Sequence, residues 1–202
     1  AFSARMNPHF IFNALNSIKT YVLENDVISS NDYIARFGKL MRQILDQSQY
    51  TLVPLVDELA ALDNYVNLEL MRGKGKFTYE QHIDPSIDLE KARVPSLLLQ
   101  PLIENAIWHG VMPMDRPGIV RLRINMVQDH IECIIEDNGV GREQSKTENH
   151  NSASTSMLDK RLKLINARFK TNIKVQFADL TDDNGNATGT RVIIPLPLEF
   201  GT

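Results

Sequence analysis

The chain has 202 residues, 43% of them hydrophobic and 23% charged, with 22 basic against 25 acidic side chains. That length suits one or two domains and an ordinary packed core, and a net charge of −3 removes the simplest electrostatic case for a nucleic-acid binder while leaving room for a local basic patch. The single cysteine, Cys133, cannot close an internal disulfide, which excludes a secreted disulfide scaffold and points to a reducing compartment.

No uncharged apolar run reaches the ~18 residues that span a bilayer. The nearest, Val94 to Ile103, contains a serine, a glutamine and two prolines. Arg5, Asn7 and His9 interrupt the first residues, so no secretory signal pattern is present. Ala1 is not an initiator methionine, and the expectation is a soluble piece of a longer protein.

Composition changes near residue 75, with almost no strand signal before it. Phe10, Ala14, Ile18 and Tyr21 fall at helical spacing over residues 10–24. After a break at Asp26 to Ser30 a second helix is expected, capped by Ser30 or Asn31, with Ile34, Phe37, Leu40, Met41, Ile44 and Leu45 on its apolar stripe. Pro54 interrupts it. A third helix runs from about Leu55 to Met71, carries Leu59, Leu62, Tyr65, Val66 and Leu70 on one stripe, and ends at Gly73 and Gly75. Three such helices cannot bury a large core alone, so self-association or docking on the second half is expected.

The second half reads as strands with two helices. Phe77 to Ile83, Ile119 to Met126, His130 to Glu136, Ile173 to Ala178 and Arg191 to Leu196 are the strands. Gln128-Asp129 suggests one hairpin, and the run Asp182-Asp183-Asn184-Gly185-Asn186 is a strong turn signal for another. The helices span Ser96 to Trp108 and roughly Ser156 to Phe169, and a polar loop covers Gly141 to Thr155. Five strands with helices on one face make an α+β fold, a two-layer α/β sandwich. The expected division is a helical region over residues 1–75 and a sheet domain over 76–202.

Three stretches can carry chemistry. In Asn7-Pro8-His9-Phe10-Ile11-Phe12-Asn13, Asn7 can cap and Pro8 suits the first helical position, which puts His9 in the first turn. A neutral imidazole there is a competent nucleophile toward phosphorus, although spacing alone favours a plain surface histidine. In Leu99 to Gly110, Asn105 and His109 are four apart on one helix face, and Glu104 and Trp108 form the adjacent pair. That set suggests oxygen ligation of a hard ion such as magnesium, or hydrogen bonding to phosphate. A helix edge with satisfied polar groups explains it equally well. In Glu136-Asp137-Asn138-Gly139-Val140-Gly141, a carboxylate at a strand end can accept from an exocyclic amine such as that of adenine, and the glycines allow close backbone approach. A lone Gly-x-Gly decides nothing, since Asn-Gly is also a common tight turn.

Taken together, and in this order, the three stretches resemble a LytS-type sensor histidine kinase, with its N-P-H-F-[IL]-F-N box followed by a GHKL-type ATP-binding domain. The first box matches from Asn7 to Asn13, Leu98 to Gly110 looks like the N box, and Asp137 to Gly141 looks like the D-x-G-x-G box. Gly189-Thr190 before the last strand resembles the closing G-T element, and Arg161-Leu162 through Asn166 resembles the helix after the nucleotide lid. The resemblance implies an ATP-dependent protein-histidine kinase of a two-component system, with His9 as phosphoacceptor. It implies that Asn105 holds the Mg2+ that bridges the ATP phosphates and that Glu104 polarises the nucleophile or a water. Asp137 would take the adenine amino group, with Gly139 and Gly141 shaping the base pocket. Thr190 would belong to the ATP site, and His109, Lys160 and Arg161 would meet the phosphates. The partners implied are a response regulator and a second copy of the chain in a homodimer, with no nucleic acid. The chain would be the cytoplasmic portion of a protein held in the inner membrane by an upstream segment.

Departures from the pattern are as specific as the matches. The segment before the Arg-Leu pair, Ser152 to Ser156, has no glycine, where the family commonly has a glycine-rich lid. Position 108, often basic in relatives, is Trp108, and no phenylalanine-rich box precedes the lid. Two other readings therefore stand beside the kinase: a GHKL ATPase without phosphohistidine, and a nucleotide-binding or dead pseudokinase scaffold. Other residues are expected to be structural. Cys133 alternates with Ile131 and Ile135 as an inert buried thiol, the methionines pack, and His82, His130 and His150 have no metal-ligand spacing.

Overall fold

A computed structural model describes residues 8–142, 153–198 and 200. Three helices come first: α1 (Pro8–Leu23), α2 (Val27–Gln47) and α3 (Leu55–Gly73), with a short strand β1 (Leu52–Pro54) before α3. There follow β2 (Phe77–Ile83), β3 (Arg93–Pro95) and α4 (Gln100–Asn105), which continues as a π-helical turn over Ala106–Val111. The last elements are β4 (Gly118–Val127), β5 (His130–Asp137), α5 (Ala153–Phe169), β6 (Gln176–Thr181) and β7 (Ala187–Pro197). The five-stranded sheet has the order β2-β4-β5-β7-β6, with β2 parallel to β4 and every other pair antiparallel. Antiparallel β1 and β3 form a separate two-stranded sheet that the sequence pattern did not suggest, because each has three residues.

Alternation along the central strands decides which face is buried. Val120, Leu122 and Ile124 of β4, Ile131, Cys133 and Ile135 of β5, and Val192, Ile194 and Leu196 of β7 all point inward. They share one core with Leu102, Ile103 and Ile107 of the α4 segment and with Leu158, Leu162 and Ile165 of α5. The opposite face is charged. Glu80 pairs with Arg121 at 2.6 Å, and Glu136 accepts from both Arg123 and Arg191. The Glu80–Arg121 pair is well exposed and adds little stability.

The helices depart from expectation at their ends. Asp26, not Ser30 or Asn31, caps α2: its Oδ1 accepts from the Ser29 amide at 3.0 Å. Asn25 at φ 56° turns the chain within three residues of the end of α1, and this leaves Ser30 buried inside α2. Helix α3 runs on to Gly73, and Lys74 rather than a glycine makes the left-handed step at φ 45°, with Gly75 following at φ 83°. Helix α4 starts at Gln100 rather than near Ser96, since Leu97 is left-handed at φ 53° and Pro101 sets the first turn.

Two strands also shift. Ile173 is buried but unladdered: Asn166 accepts from its amide at 2.8 Å and donates to its carbonyl at 2.9 Å. One side chain thus does what strand pairing would, and β6 begins three residues later. Strand β7 starts at Ala187, so Gly189 and Thr190 lie inside it rather than before it.

Aromatic packing ties the helices together. Phe10 of α1 lies 5.3 Å from Tyr65 of α3 and 6.1 Å from Phe37 of α2, and the Tyr21 hydroxyl donates to the Met71 carbonyl at 3.0 Å. Helix α3 packs on α2 on one side and on β1, β2 and β3 on the other. Phe12 (67% exposed), Leu15 (53%) and Val22 (59%) form an apolar stripe on the far side of α1.

Burial also fixes the reactivity of Cys133, whose thiol is pushed up to about 12. A thiol reagent at neutral pH is expected to leave the native protein unmodified and to label one thiol per chain in denaturant. Stoichiometric labelling of the native protein within minutes would contradict the buried position.

Candidate active site

The site grows out of the inward face of β5. Residues 131, 133 and 135 point into the core, and the same alternation sends Asp137 inward at the end of the strand. Its carboxylate is 6% exposed, and burial raises its pKa from 3.8 to about 6, opposed by the Gly139 and Thr190 amides. The Gly139 N–H donates to Oδ1 at 2.9 Å, and Thr190 is the register partner of Asp137 across β5 and β7. Asn138 turns the other way, accepting from the Ile119 amide at 2.7 Å, and thereby fixes the strand end against β4.

Backbone packs closely around this carboxylate. The π-helical turn, with the Met112 amide bonded to the Ile107 carbonyl five residues back at 2.9 Å, presents Gly110 to Asp137. A Cβ on Gly110 would sit 2.8 Å from the Asp137 carboxylate, and one on Gly139 would sit 2.3 Å from the Gly110 carbonyl. The Val140 amide donates to that same carbonyl at 3.1 Å. Gly189 faces the Asp137 backbone from β7, and Gly141, at φ 77°, lies against Ala187. The structure thus brings Asp137, Gly139 and Thr190 together and adds Gly110, which sequence reasoning left without a role.

Glu104 and Asn105 are half-buried on the last turn of α4, and His109 is exposed on the π-helical turn. Trp108 lies beneath the Arg72 guanidinium, which is 3.7 Å from its ring centroid. Arg72 pairs with the buried Glu69 at 2.9 Å. Burial pushes Glu69 up to about 7; Arg72 opposes the rise and the neighbouring Glu104 charge adds to it. A cleft of about 370 Å3 opens beside Arg72 and Trp108, and its other wall is the polar face of α1, including Asn13, Asn16, Ser17 and Thr20. His9 lies in the first turn of that helix, one turn before Asn13.

The remaining residues lie apart from Asp137. Lys160 is exposed on α5. Arg161 donates from Nη2 to Ser96 Oγ at 2.5 Å, near the start of the α4 segment. Of the glycine-free lid, Ser152 lies outside the described residues, while the backbone of 153–156 is already helical as the start of α5. Glu58 and Glu69 were missed although a signal existed, since both fall on the apolar stripe of α3, where a carboxylate needs a specific partner.

The residues present suit a Mg-nucleotide. Asp137 offers a buried acceptor behind a wall too close for side chains. No group of three or more His, Cys, Asp or Glu side chains clusters among the described residues. Magnesium typically takes one or two protein oxygens and completes its shell with phosphate and water, as Asn105 with Glu104 would permit.

The architecture matches a known catalytic-domain fold. The histidine kinase domain of the Erythrobacter litoralis EL346 blue-light activated histidine kinase superposes with a TM-score of 0.52 at 17% identity, covering 81% of this chain and 75% of that one. The histidine kinase family model matches residues 1–77. Sensor histidine kinase YpdA of Escherichia coli is 30% identical over 141 residues, 70% of this chain and 24% of that protein. Sensor protein LytS of Bacillus subtilis is 32% identical over 143 residues, 70% of this chain and 23% of that protein. Over 70% of its length the chain is similar to LytS-type sensor histidine kinases, and its sheet half has the fold of histidine kinase ATPase domains. It spans about a quarter of the length of these relatives.

The raised Asp137 pKa gives a pH signature. An acid whose folded pKa lies above its unfolded value holds its proton more tightly when folded, so its contribution to stability declines as pH rises from about 4 to 6 and stays low above that. Asp137→Asn is therefore expected to match the wild type near pH 4 and to exceed it by about 1–3 kcal/mol above pH 6, while losing adenine-nucleotide binding. Urea melts across that range check the first, and calorimetric titration with Mg-ADP checks the second.

Proposed function

We propose that this chain is the catalytic portion of a sensor histidine kinase that transfers the γ-phosphoryl group of Mg-ATP to His9 and then to an aspartate of a response regulator. The observation that carries the reading is the buried Asp137 carboxylate, walled by Gly110 and Gly139 next to the helix that bears Asn105. Intact matching of Asn7 to Asn13 supports His9 as the acceptor.

In this reading Asp137 accepts from the exocyclic amine of adenine, and Gly139, Gly141 and Thr190 shape the base pocket. Asn105, with Glu104 beside it, holds the Mg2+, which neutralises phosphate charge when bound. His109 and Lys160, both exposed, meet the phosphates. A neutral His9 nitrogen attacks the γ-phosphorus in line: the N–P bond forms as the bond to the β,γ-bridging oxygen breaks, and ADP leaves with that electron pair. Glu104 orients the imidazole through its charge. The phosphoryl group then passes from nitrogen to a carboxylate oxygen of the regulator. Residues 1–75 supply the acceptor and the subunit contact, and residues 76–202 supply the nucleotide site.

The subunit contact is a second copy of this chain. Phe12, Leu15 and Val22 repeat at near-heptad spacing on the exposed side of α1, the pattern of a helix seam. No described helix is long and apolar enough to cross a membrane. We place this portion on the cytoplasmic side of a membrane sensor.

Incubation with γ-labelled Mg-ATP, worked up without acid, is expected to label the wild type and leave His9→Ala blank. Label that persists in His9→Ala would remove His9 as acceptor, and ADP release that survives the substitution would favour an ATPase. Leu15→Asp with Val22→Asp is expected to convert a dimer to a monomer in sedimentation velocity. An unchanged sedimentation coefficient would place the subunit contact elsewhere.

A further inference from the structure

The Glu58 carboxylate of α3 is 2% exposed. It does not face solvent or a metal but accepts from the Leu97 amide at 2.7 Å through Oε2 and from the Leu99 amide at 2.9 Å through Oε1. These amides belong to the segment that leads into α4, where Leu97 is left-handed and the first helical N–H groups have no intrahelical acceptor. Arg161 of α5 reaches the same segment and donates from Nη2 to Ser96 Oγ at 2.5 Å. Ser96 is fully buried, passes its own hydroxyl proton to the Tyr50 carbonyl at 2.8 Å, and donates its amide to the Thr51 carbonyl at 3.2 Å. Burial raises the Glu58 pKa, while the backbone amides and the Arg161 charge oppose the rise. A carboxylate from α3 and a guanidinium from α5 therefore converge on four residues, 96–99, that lead into α4.

Those elements do three different jobs. Helix α5 follows directly on the polar segment 143–152 in the chain. Helix α4 carries Glu104 and Asn105. Helix α3 packs against α2 of the helical region. We infer that Arg161 is a positioning residue: with Ser96 and Glu58 it fixes α5 and α3 to the start of α4, and so acts on the nucleotide site through the helix that bears Asn105 rather than by touching phosphate. The inference rests on the nucleotide reading of Asp137 and Asn105. It replaces the phosphate contact that the resemblance implies for Arg161, because the guanidinium is engaged with Ser96, six residues before the last turn of α4 begins at Leu102. It also gives α3 a direct hold on that helix, so that a shift of the helical region moves Asn105 through Glu58.

The test compares Mg-ADP with adenosine, each titrated calorimetrically into the wild type, Arg161→Met, Ser96→Ala and Glu58→Gln, alongside melting temperatures that include the Glu58→Gln/Arg161→Met double variant. Arg161→Met is expected to weaken both ligands by the same factor, about tenfold, as for other residues that hold a ligand in place from behind. Ser96→Ala is expected to reproduce part of that loss. The double variant is expected to melt no lower than Arg161→Met alone, because neutralising Glu58 removes the carboxylate left without its cation. Loss confined to Mg-ADP, with adenosine unchanged and additive melting effects, would establish a phosphate contact and overturn the inference. A lowered melting temperature with both affinities unchanged would overturn it as well, leaving only a structural link. Should Arg161→Met fail to fold, Arg161→Lys with Ser96→Ala carries the same comparison. Should the wild type bind neither ligand, the nucleotide reading falls by itself, and additivity or its absence in the melting cycle still decides whether Glu58 and Arg161 act as one unit.

Discussion

Everything at the strand end depends on burying one carboxylate without burying an unsatisfied charge. The β5 alternation that sends Ile131, Cys133 and Ile135 into the core cannot stop at residue 137, so Asp137 is carried inward with them. Removing a carboxylate from water is costly unless donors reach it. The backbone supplies them: the Gly139 and Thr190 amides face the carboxyl, and Gly110 and Gly139 lack the side chains that would keep the π-helical turn away from the strand end. The partial compensation is visible in the pKa of about 6, well above that of a solvated aspartate. A group held in this state favours a donor from outside, and an adenine amine is one.

Helix α3 plays a second part in the same economy of charge. It contributes two buried carboxylates from one apolar stripe, and each is held differently. Glu58 is satisfied by backbone amides at a helix start, an arrangement that the local dipole also favours. Glu69 has Arg72 beside it and Glu104 as a like-charged neighbour, and its pKa rises to about 7. The first is a fixed support and the second sits near its titration point at neutral pH. Both face the segment that runs from Ser96 to Trp108, which makes α3 the common neighbour of the helical region and the α4 segment.

Much of this was legible in the sequence, for reasons that can be named. Helical spacing of apolar residues marked the three N-terminal helices, period-two alternation marked β4 and β5, and the three stretches taken together, with Asn7–Asn13 the most specific, carried the family resemblance. Helix ends were less legible because several side chains can cap, and Asp26 won over Ser30 through the left-handed turn at Asn25. Strand β6 was misplaced because Asn166, seven residues earlier at the end of α5, takes the hydrogen bonds of Ile173. Within the site, Asp137 and Gly139 were readable as a motif. The role of Gly110 was not, since it depends on a π-helical turn for which local composition gives no signal. The Ser96 partner of Arg161 was likewise hidden, being a contact across 65 positions.

The π-helical turn has a consequence for how this segment tolerates change. Its extra residue sets the rotational phase of Gly110 on the helix, so that bare backbone meets the Asp137 carboxylate. Shortening Ala106–Val111 by one residue would restore ordinary helical bonding and rotate Gly110 away from Asp137. Length is therefore held tightly over this stretch, because the number of residues between α4 and Gly110 is fixed by the geometry of the carboxylate that Gly110 faces.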